Sequence, residues 1–282
     1  MTETLSRPTI SDTKRMVLLA KRWGGLHLSP DKIDFFFQRL NKRLKQKNLS
    51  DFRQYCDFLE SPRGKSEHKV FIEALTTHTT SFFREQKHFD WLEKDGWAEI
   101  IDQGAGKEWP LTIWSAACSS GAELYSTLIS AKEYELQKKM HLRVEGHGTD
   151  LSTAILRKAQ QAVYSSAEIN GLSEARRRAW ILQARDGSDR FRIAPELRGL
   201  ARWNTINLTK PDNNGPASAD LILLRNVLIY FDEKTQAQVV AALCARLRLN
   251  GVLMTGHSET LSILPDGMVQ VASAIYRKQG MV

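Results

Sequence analysis

The sequence has few cysteines and lacks the common metal-binding motifs. Its three cysteines, Cys56, Cys118 and Cys244, stand far apart in a chain of 282 residues and show no CxxC or CxH spacing. This odd number and wide separation argue against a disulfide framework or a zinc site and predict reduced, mostly buried thiols. The seven histidines form no HExxH pair, so the sequence predicts no metal site.

Loops that wrap phosphate groups are missing too. Neither GxxxxGK[ST] nor GxGxxG is present, because the loop after the first strong apolar run contains only Gly121. A serine-centred GxSxG elbow is also missing. These absences argue against nucleoside triphosphates, NAD and acyl transfer as the chemistry of this chain.

Long apolar runs are absent as well. No run approaches the roughly 20 residues that a membrane span needs, and residues 1–8 lack the hydrophobic core of a signal peptide. The composition, 42% hydrophobic and 26% charged, is that of an ordinary globular protein. We therefore expect a cytoplasmic protein without direct membrane insertion.

Positive charge is concentrated in the first third of the chain. The net charge is +8, and residues 1–90 carry 17 Lys and Arg against 11 Asp and Glu. This asymmetry suggests an acidic partner, which could be nucleic acid, an anionic membrane surface or an acidic protein. Arg39, Lys42, Arg43 and Lys47 fall three or four residues apart and would form a positive stripe on a helix. A solvated helix face is the alternative interpretation.

The hydrophobic pattern divides the chain into two domains. Residues 1–90 show helical periodicity with almost no strand signal, whereas residues 91–282 alternate strands with helices, as in a largely parallel α/β sheet. A small inserted subdomain is expected at about 170–206, where this alternation stops. Asn250-Gly251 is expected to end a helix. Strands are expected at 111–117, 144–149, 221–225 and 252–257, with short strands at 191–193 and 201–206 and an edge strand at 269–276.

Candidate site residues follow the ends of predicted strands. Residues 111–126 have the order strand, tight turn, helix, and an open α/β sheet binds nucleotide-like ligands beyond the carboxyl end of such a strand. Asp150 ends the next strand, where an acid can accept hydrogen bonds from a ribose diol; an N-cap is the alternative. Arg225 and Asn226 should emerge in the same crevice. Tyr230 is expected either to wall the pocket or to pack in the core.

Five segments, in order along nearly the whole chain, resemble the chemotaxis receptor methyltransferase family, CheR. They are 74–85 (ALTTHTTSFFRE), 114–123 (WSAACSSGAE), 148–152 (GTDLS), 225–232 (RNVLIYFD) and 256–259 (GHSE). The resemblance implies a Rossmann-like sheet of the S-adenosylmethionine-dependent methyltransferases, with an N-terminal all-helical domain and a small inserted β-subdomain. These parts match the domains that the hydrophobic pattern predicts.

The resemblance also implies site residues. Arg84 and Tyr230 are the predicted catalytic residues, and Asp150 would hold the ribose of the cofactor. The chain departs from the family at His78, where asparagine is usual, and at residues 121–126 (GAELYS), where a GEEPYS-like run is usual. The predicted cofactor-binding residues are His78, Thr80, Arg84, Glu123, Asp150, Asn207, Leu208, Asn226 and Val227.

The implied activity is the transfer of a methyl group from S-adenosylmethionine to receptor glutamates, with S-adenosylhomocysteine as product. A glutamate with a pKa near 4.3 is ionised at neutral pH, so the reaction needs no general base. The implied partner is the cytoplasmic helical domain of a chemoreceptor, which the basic stripe would suit. We expect a monomer that binds no nucleic acid. The alternatives are a methyltransferase for nucleic acid or small molecules, and a cofactor-binding regulatory module, which the altered loop leaves open.

Overall fold

The computed structural model describes residues 6–77, 79–210 and 214–280. Its internal contacts divide the chain into two units, one of Met1–Thr77 with Ile229–Gln236 and one of His78–Leu228 with Ala237–Val282. The division therefore comes earlier than residue 90, where the sequence analysis places it. A short segment from late in the chain also joins the helical unit.

The first unit is built from amphipathic helices, which the sequence predicts. Thr9 begins the first of them in a capping box with Asp12, which satisfies backbone N–H groups at the helix start. Phe36, Leu40 and Leu44 share one face of the second helix and are fully buried; each contributes about 1.5 to 3 kcal/mol by burial. The helices are α1 Ile10–Gly24, α2 Ile33–Gln46, α3 Phe52–Glu60 and α4 Glu67–Leu75.

The second unit alternates strands and helices. Its first two helices, Gln86–Trp91 and Trp97–Asp102, are joined by a π-helical turn at Leu92–Gly96. The first turn of its last helix, Glu233–Ala245, belongs to the helical unit. The strands are β1 Leu111–Ser115, β2 Val144–Asp150, β3 Val163–Tyr164, β4 Ile181–Gln183, β5 Phe191–Ile193, β6 Ala201–Thr205, β7 Ala219–Leu224, β8 Leu247–Thr255, β9 Met268–Ala272 and β10 Ile275–Lys278. The helices are α5 Gln86–Trp91, α6 Trp97–Asp102, α7 Ala122–Gln137, α8 Thr153–Gln161, α9 Glu174–Trp180, α10 Pro195–Arg198 and α11 Glu233–Ala245.

The main sheet has seven strands in the order β6-β2-β1-β7-β8-β10-β9. The first five are parallel, and β10 and β9 are antiparallel. Both β1 and β7 are buried along their whole length, as in a sheet covered on both faces. Because β2 and β7 lie on opposite sides of β1, the strand order reverses there. The carboxyl ends of these strands frame the crevice where open α/β sheets bind ligands.

Three elements differ from the sequence-based expectations. Residues 201–206 are expected in the inserted subdomain, but 201–205 form β6, which pairs with β2 in the main sheet. The small sheet is β3-β5-β4. Asn250-Gly251 does not end a helix, because it lies within β8 where the register against β7 shifts. Asn250 has a φ of 62° there, which fits a bulge. Residues 269–276 contribute to two antiparallel strands rather than one edge strand.

All three cysteines are buried and free, which agrees with the sequence analysis. Burial raises the pKa of the Cys56 and Cys244 thiols to about 12, so both stay protonated and unreactive at neutral pH. Among the helices in the described ranges, none is long and apolar enough to cross a membrane.

Candidate active site

The loop between β1 and α7 is pinned to the end of β2. Gly121 closes this loop with a φ of 86°, and a Cβ added there would lie 2.8 Å from Trp203, so a larger residue would be strained. The carboxylate of Asp150 accepts the backbone N–H of Ser119 at 2.9 Å and that of Ser152 at 2.9 Å. The loop and the start of α8 are therefore held by one side chain.

Asp150 is not the N-cap of α8. That cap is Ser152, whose hydroxyl accepts the backbone N–H of Ile155 at 3.2 Å, so the N-cap interpretation of Asp150 is wrong. Asp150 is 9% exposed and ends β2 at the ligand-binding edge of the sheet. A carboxylate at this place can accept hydrogen bonds from a ribose diol. That role remains a prediction.

A buried guanidinium joins two glutamates at this edge. Arg225 follows β7 with its side chain 1% exposed, and it donates to Glu123 Oε2 at 3.0 Å and to Glu85 Oε2 at 3.0 Å. Its Nη2 also donates to the backbone carbonyl of Arg84. The hydroxyl of Ser115 donates to the other oxygen of Glu123 at 2.7 Å. The sequence predicts Arg225 in this crevice but indicates no role for it or for Glu85, although Glu85 directly follows Arg84.

The pKa values of the two glutamates that bind Arg225 are shifted in opposite directions. Burial raises the pKa of Glu123 above its ordinary value, against the opposing effects of Arg225 and Ser115. Burial also raises the pKa of Glu85, but Arg225 and Asn226 outweigh it and the pKa is lowered overall. Glu85 is therefore firmly ionised at neutral pH. Glu123 is the carboxylate whose charge a nearby cation would stabilise most.

Backbone strain is concentrated around the site. The left-handed region costs a non-glycine residue of the order of 1 to 3 kcal/mol, and it persists only where neighbouring groups fix it. The N–H of Phe83 donates to Ser126 Oγ at 2.9 Å, and that of Asn226 donates to Glu259 Oε2 at 2.6 Å. The left-handed residues here are Phe83, Glu85, Ser119 and Asn226, with φ values of 52°, 59°, 49° and 58°.

The turn Gly256–Glu259 after β8 supports Asn226. Glu259 is 5% exposed, and its Oε2 accepts the backbone N–H of Gly256 at 2.9 Å as well as that of Asn226. A Cβ on Gly256 would lie 2.7 Å from this carboxylate and 2.8 Å from the Asn226 amide. A side chain at position 256 would therefore push these two groups apart.

Two imidazole rings stack beside Glu85. The ring centroids of His88 and His257 are 4.6 Å apart with an interplanar angle of 21°, and one ligand atom from each of these three residues lies within 4.8 Å of the others. Nearly parallel rings direct their in-plane lone pairs side by side, whereas a zinc ion needs convergent ligands. Arg225 also donates to Oε2 of Glu85, and its positive charge opposes the binding of a metal cation there. The geometry therefore disfavours a metal here, and the absence of a metal site remains a prediction.

The predicted cofactor residues of the second unit lie at the carboxyl ends of adjacent parallel strands. The strands involved are β6, β2, β1 and β7, which are neighbours in that order, so their ends meet at one edge of the sheet. Asn207 and Leu208 follow β6, Asp150 ends β2, Glu123 lies just after the loop that follows β1, and Asn226 and Val227 follow β7. The structure thus brings these six residues to one edge.

The other predicted residues lie in two different places. Thr80 is half-buried, and Arg84 donates from Nη1 to the carbonyl of Thr79 at 3.1 Å. Tyr230 belongs to the helical unit, where its hydroxyl accepts the N–H of Thr77 at 3.3 Å. The catalytic roles of Arg84 and Tyr230 remain predictions, and His78 lies outside the described residues.

The basic stripe of α2 is partly neutralised within the helical unit. Glu67 of α4 is 1% exposed; it accepts from Arg43 Nη2 at 2.6 Å and from Arg43 Nε, and Lys47 Nζ lies 3.2 Å away. Burial raises the pKa of Glu67, but Arg43 and Lys47 lower it more. Arg39 donates to the carbonyl of Thr76 at 3.0 Å, and Lys42 is exposed. Arg43 and Lys47 therefore have a structural partner whether or not they bind anything else.

The fold is that of an S-adenosylmethionine-dependent methyltransferase. A family model described as CheR methyltransferase, SAM binding domain, matches residues 78–276, and one described as CheR methyltransferase, all-alpha domain, matches residues 12–76. The two matches cover most of the chain, and the chain belongs to the CheR methyltransferase family. The resemblance that the five segments carry is thereby confirmed.

Curated relatives named chemotaxis protein methyltransferase match nearly the full length. The relative from Borreliella burgdorferi is 32% identical over 90% of this chain and 89% of its own length. The relative from Salmonella typhimurium is 32% identical over 92% and 87%, and that from Escherichia coli is 31% identical over 98% and 93%. This chain is accordingly a methyltransferase of the chemotaxis class that uses S-adenosylmethionine.

We expect His88 to make folding stability depend on pH. Burial first, and then Arg225 and His257, lowers the pKa of His88 to about 3, whereas an unfolded histidine titrates near 6.5. Between these values the unfolded chain binds the extra proton, so stability falls as pH falls, by about 2 kcal/mol at pH 5. Urea unfolding at pH 7 and pH 5 measures the loss.

Replacing the imidazole isolates its contribution. His88→Phe should abolish most of the pH-dependent loss, whereas His141→Gln, at a ring whose side chain is 87% exposed, should retain it. If His88→Phe kept the full loss, other groups would be responsible and the assignment to His88 would be wrong.

Proposed function

We propose that this chain transfers a methyl group from S-adenosylmethionine to glutamate side chains of a chemoreceptor, acting in the cytoplasm on the receptor's helical domain. The observation that carries the proposal is the charge at the binding edge. Glu85, Glu123 and Asp150 bring three carboxyl groups there, and Arg225 bonds to the first two. Against the two cations Arg225 and Arg84, these three carboxyl groups leave a net negative charge, which suits a cationic methyl donor. Membership of the CheR family and the names of the relatives support the receptor as acceptor.

Two side chains fit the donor. Asp150 would accept from its ribose hydroxyls, and Glu123 would face its positively charged methionine part. When bound, S-adenosylmethionine supplies a methyl group activated by a sulfonium. The loop before α7 contains a single glycine, Gly121, and the backbone N–H of Ser119 already bonds to Asp150. The loop is therefore suited to an adenosyl group without phosphates.

The acceptor glutamate needs little chemical help. With a pKa near 4.3 it is ionised at neutral pH, so one of its oxygens can bond to the methyl carbon while the carbon–sulfur bond breaks and the electron pair stays on sulfur. The products are a glutamate methyl ester and S-adenosylhomocysteine. Opposite charges cancel during this step, so the protein contributes alignment and exclusion of water.

Arg84 is best suited to positioning. A guanidinium that binds the acceptor carboxylate stabilises the charged ground state more than the less charged transition state. Its backbone carbonyl accepts from Arg225, and the residues on either side of it adopt left-handed φ values. We therefore assign Arg84 the placement of the acceptor glutamate or of the donor's carboxylate.

Methyl transfer itself provides the main test. With radiolabelled S-adenosylmethionine and a receptor cytoplasmic fragment from the same cell, we expect label in methyl esters that alkali releases. A fragment whose acceptor glutamates are replaced by glutamine should take up none. Label in RNA would overturn the receptor as acceptor, and cofactor binding without turnover on any cognate fragment would indicate a regulatory binding module.

Glu123 should contribute to donor affinity. Glu123→Gln keeps the shape and removes the charge, so we expect calorimetry to show at least about tenfold weaker binding of S-adenosylmethionine. If the variant loses more affinity for S-adenosylmethionine than for S-adenosylhomocysteine, Glu123 lies near the sulfonium, which only the first ligand has. Equal losses of affinity for the two ligands would place Glu123 near the ammonium, which both have. Glu174→Gln, at a side chain that is 81% exposed, is the control. Unchanged affinity in Glu123→Gln would exclude contact with the donor.

The basic stripe is proposed to dock on the acidic receptor helices, and its members should behave differently. Lys42→Glu should raise the KM for the receptor severalfold at low salt and leave the urea midpoint unchanged. Arg43→Glu should instead destabilise the protein by about 3 to 5 kcal/mol, because it leaves Glu67 buried without its main partner. Normal methylation by Lys42→Glu would contradict docking, and an unchanged urea midpoint for Arg43→Glu would contradict the structural role.

A further inference from the structure

The segment Phe82–Glu85, which contains Arg84, packs against the inserted subdomain. This subdomain, as the structure has it, spans residues 163–193 and consists of the small sheet β3-β5-β4 with α9. The ring of Phe82 contacts Tyr164 of β3 edge-on, with centroids 5.0 Å apart and planes at 82°. Gly171 approaches so closely that an added Cβ would lie 2.2 Å from the carbonyl oxygen of Phe82. The inserted subdomain thus touches the backbone just before the strained residues.

Arg176 of α9 makes the most specific of these contacts. Its guanidinium carbon lies 3.7 Å from the centroid of the Phe83 ring. Glu133 of α7 accepts from its Nε at 3.0 Å and from its Nη2 at 2.8 Å, and Glu93 accepts from Nη2 at 2.7 Å. A planar guanidinium that is stacked on a ring and bonded to two carboxylates has little freedom. The Phe83 ring is therefore held in place from the subdomain side.

We propose that Arg176 is a positioning residue, which acts through Phe83 to hold the backbone that presents Arg84 and Glu85 to the methyl-transfer site. Phe83 and Glu85 both adopt left-handed φ values, which side chains disfavour, so the segment would relax if its neighbours released it. Relaxation would move the Arg84 side chain and the Glu85 carboxylate that Arg225 binds. The stack of Arg176 on Phe83 opposes this movement.

A second hydrogen bond from the same subdomain reaches the other loop of the site. The hydroxyl of Tyr164 donates to the carbonyl of Ser120 at 2.8 Å, in the loop that Asp150 pins. The subdomain therefore contacts both loops of the site, one through Tyr164 and the other through Arg176. Its role in positioning follows from these contacts, whatever else the subdomain binds.

A double-mutant cycle tests the proposal. Arg176→Gln removes the stacked cation, and Phe83→Leu keeps an apolar side chain but removes the ring. We expect each single variant to bind S-adenosylmethionine at least about fivefold more weakly and to lose about tenfold in kcat/KM, because both release the same segment. The double variant should lose no more affinity and no more kcat/KM than the single variant with the larger loss.

The control lies on the same helix. Arg178 bonds to Glu174 one turn away and its side chain is 75% exposed, so Arg178→Gln should leave affinity and turnover unchanged. If the fold-losses of the two single variants multiplied in the double variant, the two residues would act independently, and the proposal would be overturned. The proposal would also be overturned if the variants lowered the urea midpoint while affinity and kcat/KM stayed within about twofold of wild type, because the role of Arg176 would then be only structural.

The cycle remains decisive if one variant or the proposed acceptor fails. Should Arg176→Gln not fold, Arg176→Lys replaces it with the same expected direction, because an ammonium keeps the charge and loses the planar stack. The turnover measurement rests on the proposed function, whereas the affinity measurement needs no acceptor. Coupled affinities without methylation of any receptor fragment would reject the proposed acceptor and leave the role of Arg176 standing.

Discussion

The buried guanidinium of Arg225 is the interaction on which the site depends. Burying a cation and carboxylates costs several kcal/mol per ion, and this cost is offset only where the geometry is good and the remaining hydrogen bonds are made. Here Arg225 bonds to Glu123, Glu85 and the carbonyl of Arg84. Three segments that lie far apart in sequence are thereby joined at one edge of the sheet. Loss of either glutamate would leave the buried guanidinium with one carboxylate instead of two, so the three charged groups depend on one another.

This arrangement leaves the site rich in acceptors. Loops that bind phosphates present free backbone N–H groups, but here Asp150 takes those of Ser119 and Ser152, and Glu259 takes that of Asn226. A carboxylate has about four lone-pair sites, so Glu123 can accept from a ligand in addition to Ser115 and Arg225. The single glycine of the loop, which argues against dinucleotides, therefore agrees with a cationic adenosyl donor. The pKa of Glu85 is lowered and that of Glu123 is raised, so Glu85 is a permanent counter-ion of Arg225, whereas a further cation beside Glu123 would favour its ionised form.

The periodicity of the sequence was enough to predict the helical and α/β regions and the edge at which Asp150 and Asn226 meet. Features that depend on distant partners were not predictable in this way. Residues 201–205 join the main sheet because they pair with β2, and the local sequence pattern does not determine this pairing. The Arg43–Glu67 pair joins α2 to α4, so charge spacing on α2 alone shows the stripe but not its neutralisation. The left-handed φ values of Phe83 and Glu85 likewise require surroundings that hold them.

The departures from the family's usual loop sequence have a structural interpretation. Ala122 and Leu124 are 2% and 0% exposed, and Leu124 packs against Gly146 of β2, so both side chains belong to the core around α7. Glu123, between them, points instead to Ser115 and Arg225. Changes at positions 122 and 124 therefore alter core packing, while the carboxylate at the binding edge is retained. The altered loop consequently gives no reason to expect a binding module that has lost its activity.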